Sequence, residues 1–113
     1  MTTLTTHVLD TAIGKPAAGV RIDLERIVDG DVTVHAGDGV TNEDGRITEL
    51  LHQDLTFGRG TWRLIFHTGE YFAAAGRDSF FPTVEITFNV TCDEHHHVPL
   101  LVSPFGYSTY RGS

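Results

Sequence analysis

A chain of 113 residues fits a single domain over residues 1–113, and at that length a fold buries roughly two-thirds of the surface its unfolded chain exposes. The formal net charge of −7, with one lysine and seven arginines scattered along the chain, excludes the clustered cations that phosphate backbones require, so no nucleic-acid partner is expected. No run approaches the roughly 18 apolar residues of a membrane span, "MTTLTTHVLD" has no basic segment leading into an apolar one, and the single cysteine allows no intrachain disulfide; no membrane partner, a cytoplasmic protein and a small core residue at Cys92 are expected.

In chain order the dominant signal is period two, in short β-branched or aromatic runs between turn residues. It predicts strands at 5–11, 19–28, 32–35, 46–50, 61–67, 83–91, 95–102 and 107–111. The stretches "GKPAAG" at 14–19, "DGD" at 29–31, "NEDGR" at 42–46, "FGRG" at 57–60 and "SPFG" at 103–106 carry turn residues. Only "GEYFAAAG" at 69–76 favours helix, with three alanines and a glycine stop. An all-β, eight-stranded, two-sheet sandwich with one short helix is the expected fold, without repeats or low-complexity segments.

Alternation then assigns faces. His7 and Leu9 share one. If Val98, Leu100 and Val102 point to the core, His95, His97, Pro99 and Leu101 point away from it, and His96 points inward. In the last strand Ser108 and Tyr110 share a face, and Tyr107, Thr109 and Arg111 the other, unless a bulge intervenes.

"HHHVPLL" at 95–101 carries the strongest chemical suggestion. His95 and His97 project the same way, as paired zinc ligands do, although adjacent histidines opening a strand are more often exposed polar residues. Histidine also titrates nearest neutral pH and can take a proton from water. His35, His52 and His67 belong to no pattern and read as surface or partly buried strand residues. "TNEDGRITEL" at 41–50 lacks the spaced oxygen ligands and distal glutamate of a calcium loop. It reads as a tight turn with Gly45 at positive φ, aiming Arg46 along the following strand. No serine sits in a nucleophile elbow, and Cys92 has no activating context.

Taken together, "HVLDTAIGKPAAGV" at 7–20, "DGR" at 44–46 and "HHHVPLLVSPFGYSTYRGS" at 95–113 resemble the 5-hydroxyisourate hydrolases, the transthyretin-related enzymes of urate breakdown. The terminal "YRGS" is the most specific part, since it resembles the mark that separates these hydrolases from the hormone-carrying transthyretins. The resemblance implies a transthyretin-like sandwich assembled as a homotetramer, a dimer of dimers, with substrate pockets in the channel between dimers. It implies a catalytic set of His7, Arg46 and His97, with Tyr110, Arg111, Gly112 and Ser113 shaping the pocket and Leu101 and Ser108 lining it. The implied reaction opens the six-membered ring of 5-hydroxyisourate and needs no cofactor and no metal. His96 departs from the aromatic residue that commonly stands between the two histidines. Two other readings are a non-catalytic small-molecule carrier, and a zinc hydrolase using His7, His95 and His97.

Overall fold

The computed structural model describes residues 2–47, 49–51 and 55–113. Eight strands and one helix follow in the order β1 (Thr3–Asp10), β2 (Lys15–Pro16), β3 (Arg21–Asp29), β4 (Val32–Val40), β5 (Gly60–Phe66), α1 (Thr68–Ala74), β6 (Val84–Val90), β7 (His95–Ser103) and β8 (Gly106–Thr109). They form two four-stranded sheets, ordered β2-β1-β7-β8 and β4-β3-β5-β6.

The core is the interface between these sheets. Val8, Val98, Leu100 and Val102 face Ile22, Leu24, Trp62, Leu64, Phe66 and Val84, and Phe72 of α1 joins them. Alternation explains which residues take part: in "TWRLIF" of β5 every second side chain, Trp62, Leu64 and Phe66, is buried. The Trp62 indole N–H donates to the Gly58 carbonyl at 2.8 Å, so the ring enters the core without leaving a polar atom unpaired. Among the described residues no buried side-chain nitrogen or oxygen lacks a partner, and no helix is long and apolar enough to cross a membrane.

α1 ends as its sequence suggests. Gly76 adopts φ 68°, its N–H donates to the Ala73 carbonyl, and Arg77 N–H donates back to Phe72. This turn directs Arg77 toward β1.

Two expectations about elements need correction. The strand expected at 46–50 is absent as a ladder among its described residues; Arg46 makes only an isolated bridge to His7, and Leu51 makes another to Gly37. The reason lies in β4. Any Cβ at Gly37 would collide with the Leu50 backbone, and one at Gly39 would meet Ile47 at 3.0 Å. The segment therefore lies against the glycine face of β4, held by side chains such as Leu50, which is buried. Conversely, "GKPAAG" was expected to be turn throughout, yet Lys15 and Pro16 pair with Asp10 and Leu9 as β2. β4 also runs beyond His35 to Val40. Cys92 is half-buried in the β6–β7 turn and not in the core. His52 lies outside the described residues.

Candidate active site

The outer face of the β2-β1-β7-β8 sheet gathers the expected residues. β1 and β7 run parallel, with Thr5 beside His97, His7 beside Pro99 and Leu9 beside Leu101. Thr6, Val8 and Asp10 point inward, which leaves Thr5, His7 and Leu9 outside. His97 and Leu101 share that outer face, while His96, Val98, Leu100 and Val102 are buried. The expected parity of β1 and β7 therefore holds. His96 packs inward edge-on against Phe57, with ring centroids 6.0 Å apart.

Arg46 arrives from a turn built by Asn42. The Asn42 Oδ1 accepts from the N–H groups of Asp44 and Arg46 at 2.9 and 3.1 Å. Gly45 has φ 75°, as expected, and its carbonyl accepts from Val8 N–H at 2.8 Å. Its lack of a side chain also matters, because a Cβ would strike the Val8 carbonyl. The tight approach places Arg46 directly opposite His7 in an antiparallel bridge. Residues opposite one another in such a bridge share a face at about 5 Å between Cβ atoms, and His97 stands beside Thr5, one diagonal step from His7 on the same face. His7, Arg46 and His97 thus converge from three separate segments. Among the described residues no carboxylate pairs with Arg46, so its guanidinium donors are available to a ligand.

The His97 ring is fixed on two sides. Thr5 Oγ1 lies 2.8 Å from its Nδ1, and on the opposite side Gly112 closes over the ring. The Gly112 N–H donates to the His97 carbonyl at 2.8 Å, and a Cβ on Gly112 would collide with His97 Cδ2. Burial, followed by the charge of Arg46 and the proximity of His7 and His95, holds the His97 pKa below the ordinary imidazole value. The shift favours the neutral ring, the form that can accept a proton.

The tail continues the sheet without a bulge. The bridge of His97 to Gly112 keeps the register that pairs Leu100 with Thr109 and Leu101 with Ser108. Ser108 and Tyr110 share a face, as alternation anticipated, and the pairing puts both, with Gly112, on the His97 face. The ladder lapses opposite Pro99, which has no N–H, and the Thr109 hydroxyl donates to the Pro99 carbonyl at 2.7 Å instead. Arg111 stands on the other face and donates to Glu94. Its side chain anchors the tail through Glu94, whose carbonyl lies 2.8 Å from His96 Nδ1. Tyr110 is largely exposed, and Ser113 is exposed at the end.

Two cavities flank this arrangement. One of about 230 Å³ is lined by Ile86, Phe88, His96, His97, Tyr110 and Arg111, among others. The larger, about 740 Å³, opens between Leu4, Leu24, Leu51, Leu55 and Phe57 and holds none of the expected site residues.

The zinc reading finds no geometric support. Among the described residues, the His, Cys and carboxylate groups that converge within 4.8 Å are Cys92, Glu94 and His96, and Asp23, His35 and Asp38; His7, His95 and His97 do not. Glu94 is engaged by Arg111, and His35 sits 3.0 Å from Asp38. His67, expected to be a surface or partly buried strand residue, is partly buried but lies just past β5 as the residue that opens α1, with its Nε2 2.7 Å from Asp23 Oδ2.

The fold is a two-sheet, transthyretin-like sandwich whose outer face brings His7, Arg46 and His97 together. The chain matches the HIUase/Transthyretin family over residues 4–112 and belongs to that family. The 5-hydroxyisourate hydrolase 2 of Rhizobium meliloti (strain 1021) is 49% identical to it over 120 residues, 97% of this chain and 95% of that protein. Among solved structures, the 5-hydroxyisourate hydrolase of Klebsiella pneumoniae is 41% identical, with a TM-score of 0.84 and both chains fully covered. Sea bream transthyretin in complex with thyroxine is 28% identical at a TM-score of 0.88, covering 96% of this chain and 93% of that one. An (S)-allantoin synthase matches at a TM-score of 0.85 and 41% identity over 99% of this chain, which spans only 44% of the synthase chain.

Proposed function

We propose that this protein hydrolyses 5-hydroxyisourate, opening its six-membered ring to the ureido-imidazoline carboxylate. The observation that carries the reading is the convergence of His7, Arg46 and His97 on one outer sheet face, with an imidazole whose pKa is lowered beside a guanidinium that no described carboxylate pairs. Relatives 46–49% identical to this chain bear the name of this activity.

In the proposed reaction, His97 accepts a proton from a water molecule whose oxygen bonds to the ring carbonyl carbon, a role typically worth about 10²- to 10⁴-fold in rate. His7 holds that water or shares its proton. Arg46, charged at any working pH, donates to the developing oxyanion. As the ring C–N bond breaks, the proton passes to the departing nitrogen. Tyr110, Leu101, Ser108, Gly112 and Ser113 surround the substrate, and Arg111 holds the tail in place. No step needs a cofactor.

The functional unit is proposed to be a homotetramer, a dimer of dimers. β6 and β8 are both edge strands, and edges invite pairing with a second copy. Phe81 packs edge-on to Tyr107 at 5.3 Å between centroids where these edges meet, and Phe80, Phe105 and Tyr107 are exposed there. A carrier built on the same fold has less to recommend it, because an unpaired guanidinium and two imidazoles suit a polar, electron-rich ligand.

Decay of freshly generated 5-hydroxyisourate, followed by ultraviolet absorbance, tests the reading. Wild-type protein is expected to accelerate it, and Arg46→Lys to be at least about tenfold slower, because lysine keeps the charge and loses the planar fork. No acceleration by wild type, or full activity in Arg46→Lys, would overturn it.

A further inference from the structure

Three hydrogen bonds string two threonines and two histidines into one line across β1 and β7. Thr3 Oγ1 lies 2.5 Å from His95 Nδ1, His95 Nε2 lies 3.0 Å from Thr5 Oγ1, and Thr5 Oγ1 lies 2.8 Å from His97 Nδ1. The parallel register accounts for it, since Thr3 stands beside His95 and Thr5 beside His97, all on the outer face.

Such a line has few self-consistent states. A hydroxyl has one proton to donate, and so has a neutral imidazole. If His97 Nδ1–H donates to Thr5, the Thr5 proton goes to His95 Nε2, and His95 donates from Nδ1 to Thr3. His97 Nε2 then presents a lone pair. In the reverse state every proton sits one bond along, and His97 Nε2 carries hydrogen and cannot accept. Among the described residues Nε2 has no hydrogen-bond partner. The nearby Arg46 offers donors only, which favours the state with a lone pair at Nε2.

We propose that Thr5 and His95 are positioning residues that hold His97 in its Nδ1–H tautomer, so that Nε2 is the atom that takes the proton from water. This rests on the hydrolase reading for its consequence, but the tautomer itself can be observed without substrate. Neither residue touches the reacting atoms; His95 acts through Thr5, and Thr5 through the His97 ring. The lowered pKa of His97 complements the arrangement, since it keeps the ring neutral while the hydroxyl chain decides which nitrogen is bare.

The test uses the full chain labelled with ¹⁵N-histidine. NMR of the wild type, at a pH where His97 is neutral, is expected to show the Nδ1–H tautomer. Thr5→Val keeps the shape and removes the hydroxyl, so His97 should shift toward Nε2–H, with kcat for 5-hydroxyisourate reduced at least about tenfold and KM little changed, since loss of tautomer control is costly wherever histidine is the base. Thr5→Ser should restore both. His95 is exposed, so its variants leave the fold intact: His95→Gln, which can still accept from Thr5, should retain most of kcat, and His95→Leu should resemble Thr5→Val. An unchanged tautomer in Thr5→Val and His95→Leu would overturn the proposal, whatever their turnover. A shifted tautomer with undiminished kcat would overturn its catalytic part. If wild type fails to hydrolyse 5-hydroxyisourate while the tautomer shifts as stated, the hydrolase reading falls and the positioning geometry stands.

Discussion

β1 sends polar side chains to both faces, and the two sets are treated differently. Inward, Asp10 is completely buried, and both carboxylate oxygens are taken: Oδ2 accepts from Arg77 and Tyr71 at 2.7 and 2.8 Å, and Oδ1 accepts from Ala12 N–H at 3.1 Å. Outward, His7 and, across from it, Arg46 are aligned through backbone contacts, and among the described residues neither side chain has a hydrogen-bond partner. A charge removed from water must be matched within the chain or it costs several kcal/mol. Groups at a half-exposed face carry no such demand, so the fold can hold them by their backbones and leave their donors and acceptors for a ligand. The Asp10 end of β1 is locked, and the His7 end is poised.

The largest effect expected from breaking this contrast is at the open end. His97→Asn and His7→Asn should each lower turnover of 5-hydroxyisourate by about 10²- to 10⁴-fold, the range of a lost general base, while denaturation midpoints stay close to the parent because neither ring is in the core. Near-normal turnover in either variant would remove that histidine from the mechanism. A large loss of stability would mean that this end, too, is structural.

The locked end should respond the opposite way. Asp10→Ala leaves Arg77 and Tyr71 without their acceptor and should cost about 3 kcal/mol by urea unfolding, the low end for breaking a buried pair, since Arg77 keeps 25% of its side-chain surface in water. Turnover per folded molecule should be unchanged. The pH dependence has a definite sign. Burial alone would raise the Asp10 pKa, but the hydrogen bonds from Arg77 and Tyr71 and the charge of Arg77 bring it below its ordinary 3.8. Its contribution to stability is therefore fully present above that value and is lost as pH falls through the lower folded value. The gap between parent and variant should close in acid; a gap independent of pH would mean that lost packing explains it.

What the sequence revealed of these two ends follows from the range of the interactions. The strands around Leu64 and Leu100, the φ of Gly45 and the outward turn of His97 are local, written in alternation and turn chemistry, and they were legible. Resemblance brought His7, Arg46 and His97 together; alternation alone could not, because the bridge of His7 to Arg46 depends on how a distant turn docks. The Thr5–His95–Thr3 line was missed for the same reason, since the β1–β7 pairing joins the two ends of the chain. One signal was present in hindsight, a Thr-x-Thr facing a His-x-His at equal spacing. Asp10 was also missed. It fell inside the strand expected at 5–11, and only its inward parity with Val8 pointed to burial. The false strand at 46–50 came from reading "RITEL" without the glycines of β4 against which it lies.

The smallest expected effect concerns how firmly the open end is held. Gly112 is not among the glycines with positive φ, so its backbone conformation is open to alanine, and the constraint is contact with the His97 ring. A Cβ there would stand 2.4 Å from His97 Cδ2, so Gly112→Ala must move the tail and the imidazole apart by about 1 Å. A 1 Å misplacement of a catalytic group can cost about a hundredfold in rate; the exposed tail takes up most of the movement, so the expected cost is about tenfold, with the fold intact. Gly106→Ala is the matched control: on the same hairpin, its Cβ would meet only Ser103 Oγ at 3.8 Å, and turnover should not change. The informative quantity is the ratio of the two variants' kcat values at equal protein concentration. A ratio near one would mean that the tail yields without disturbing His97, and that Thr5 alone holds the ring. A reduced kcat confined to Gly112→Ala would show that the C-terminal segment acts on the histidine by shape, through a side chain it does not have.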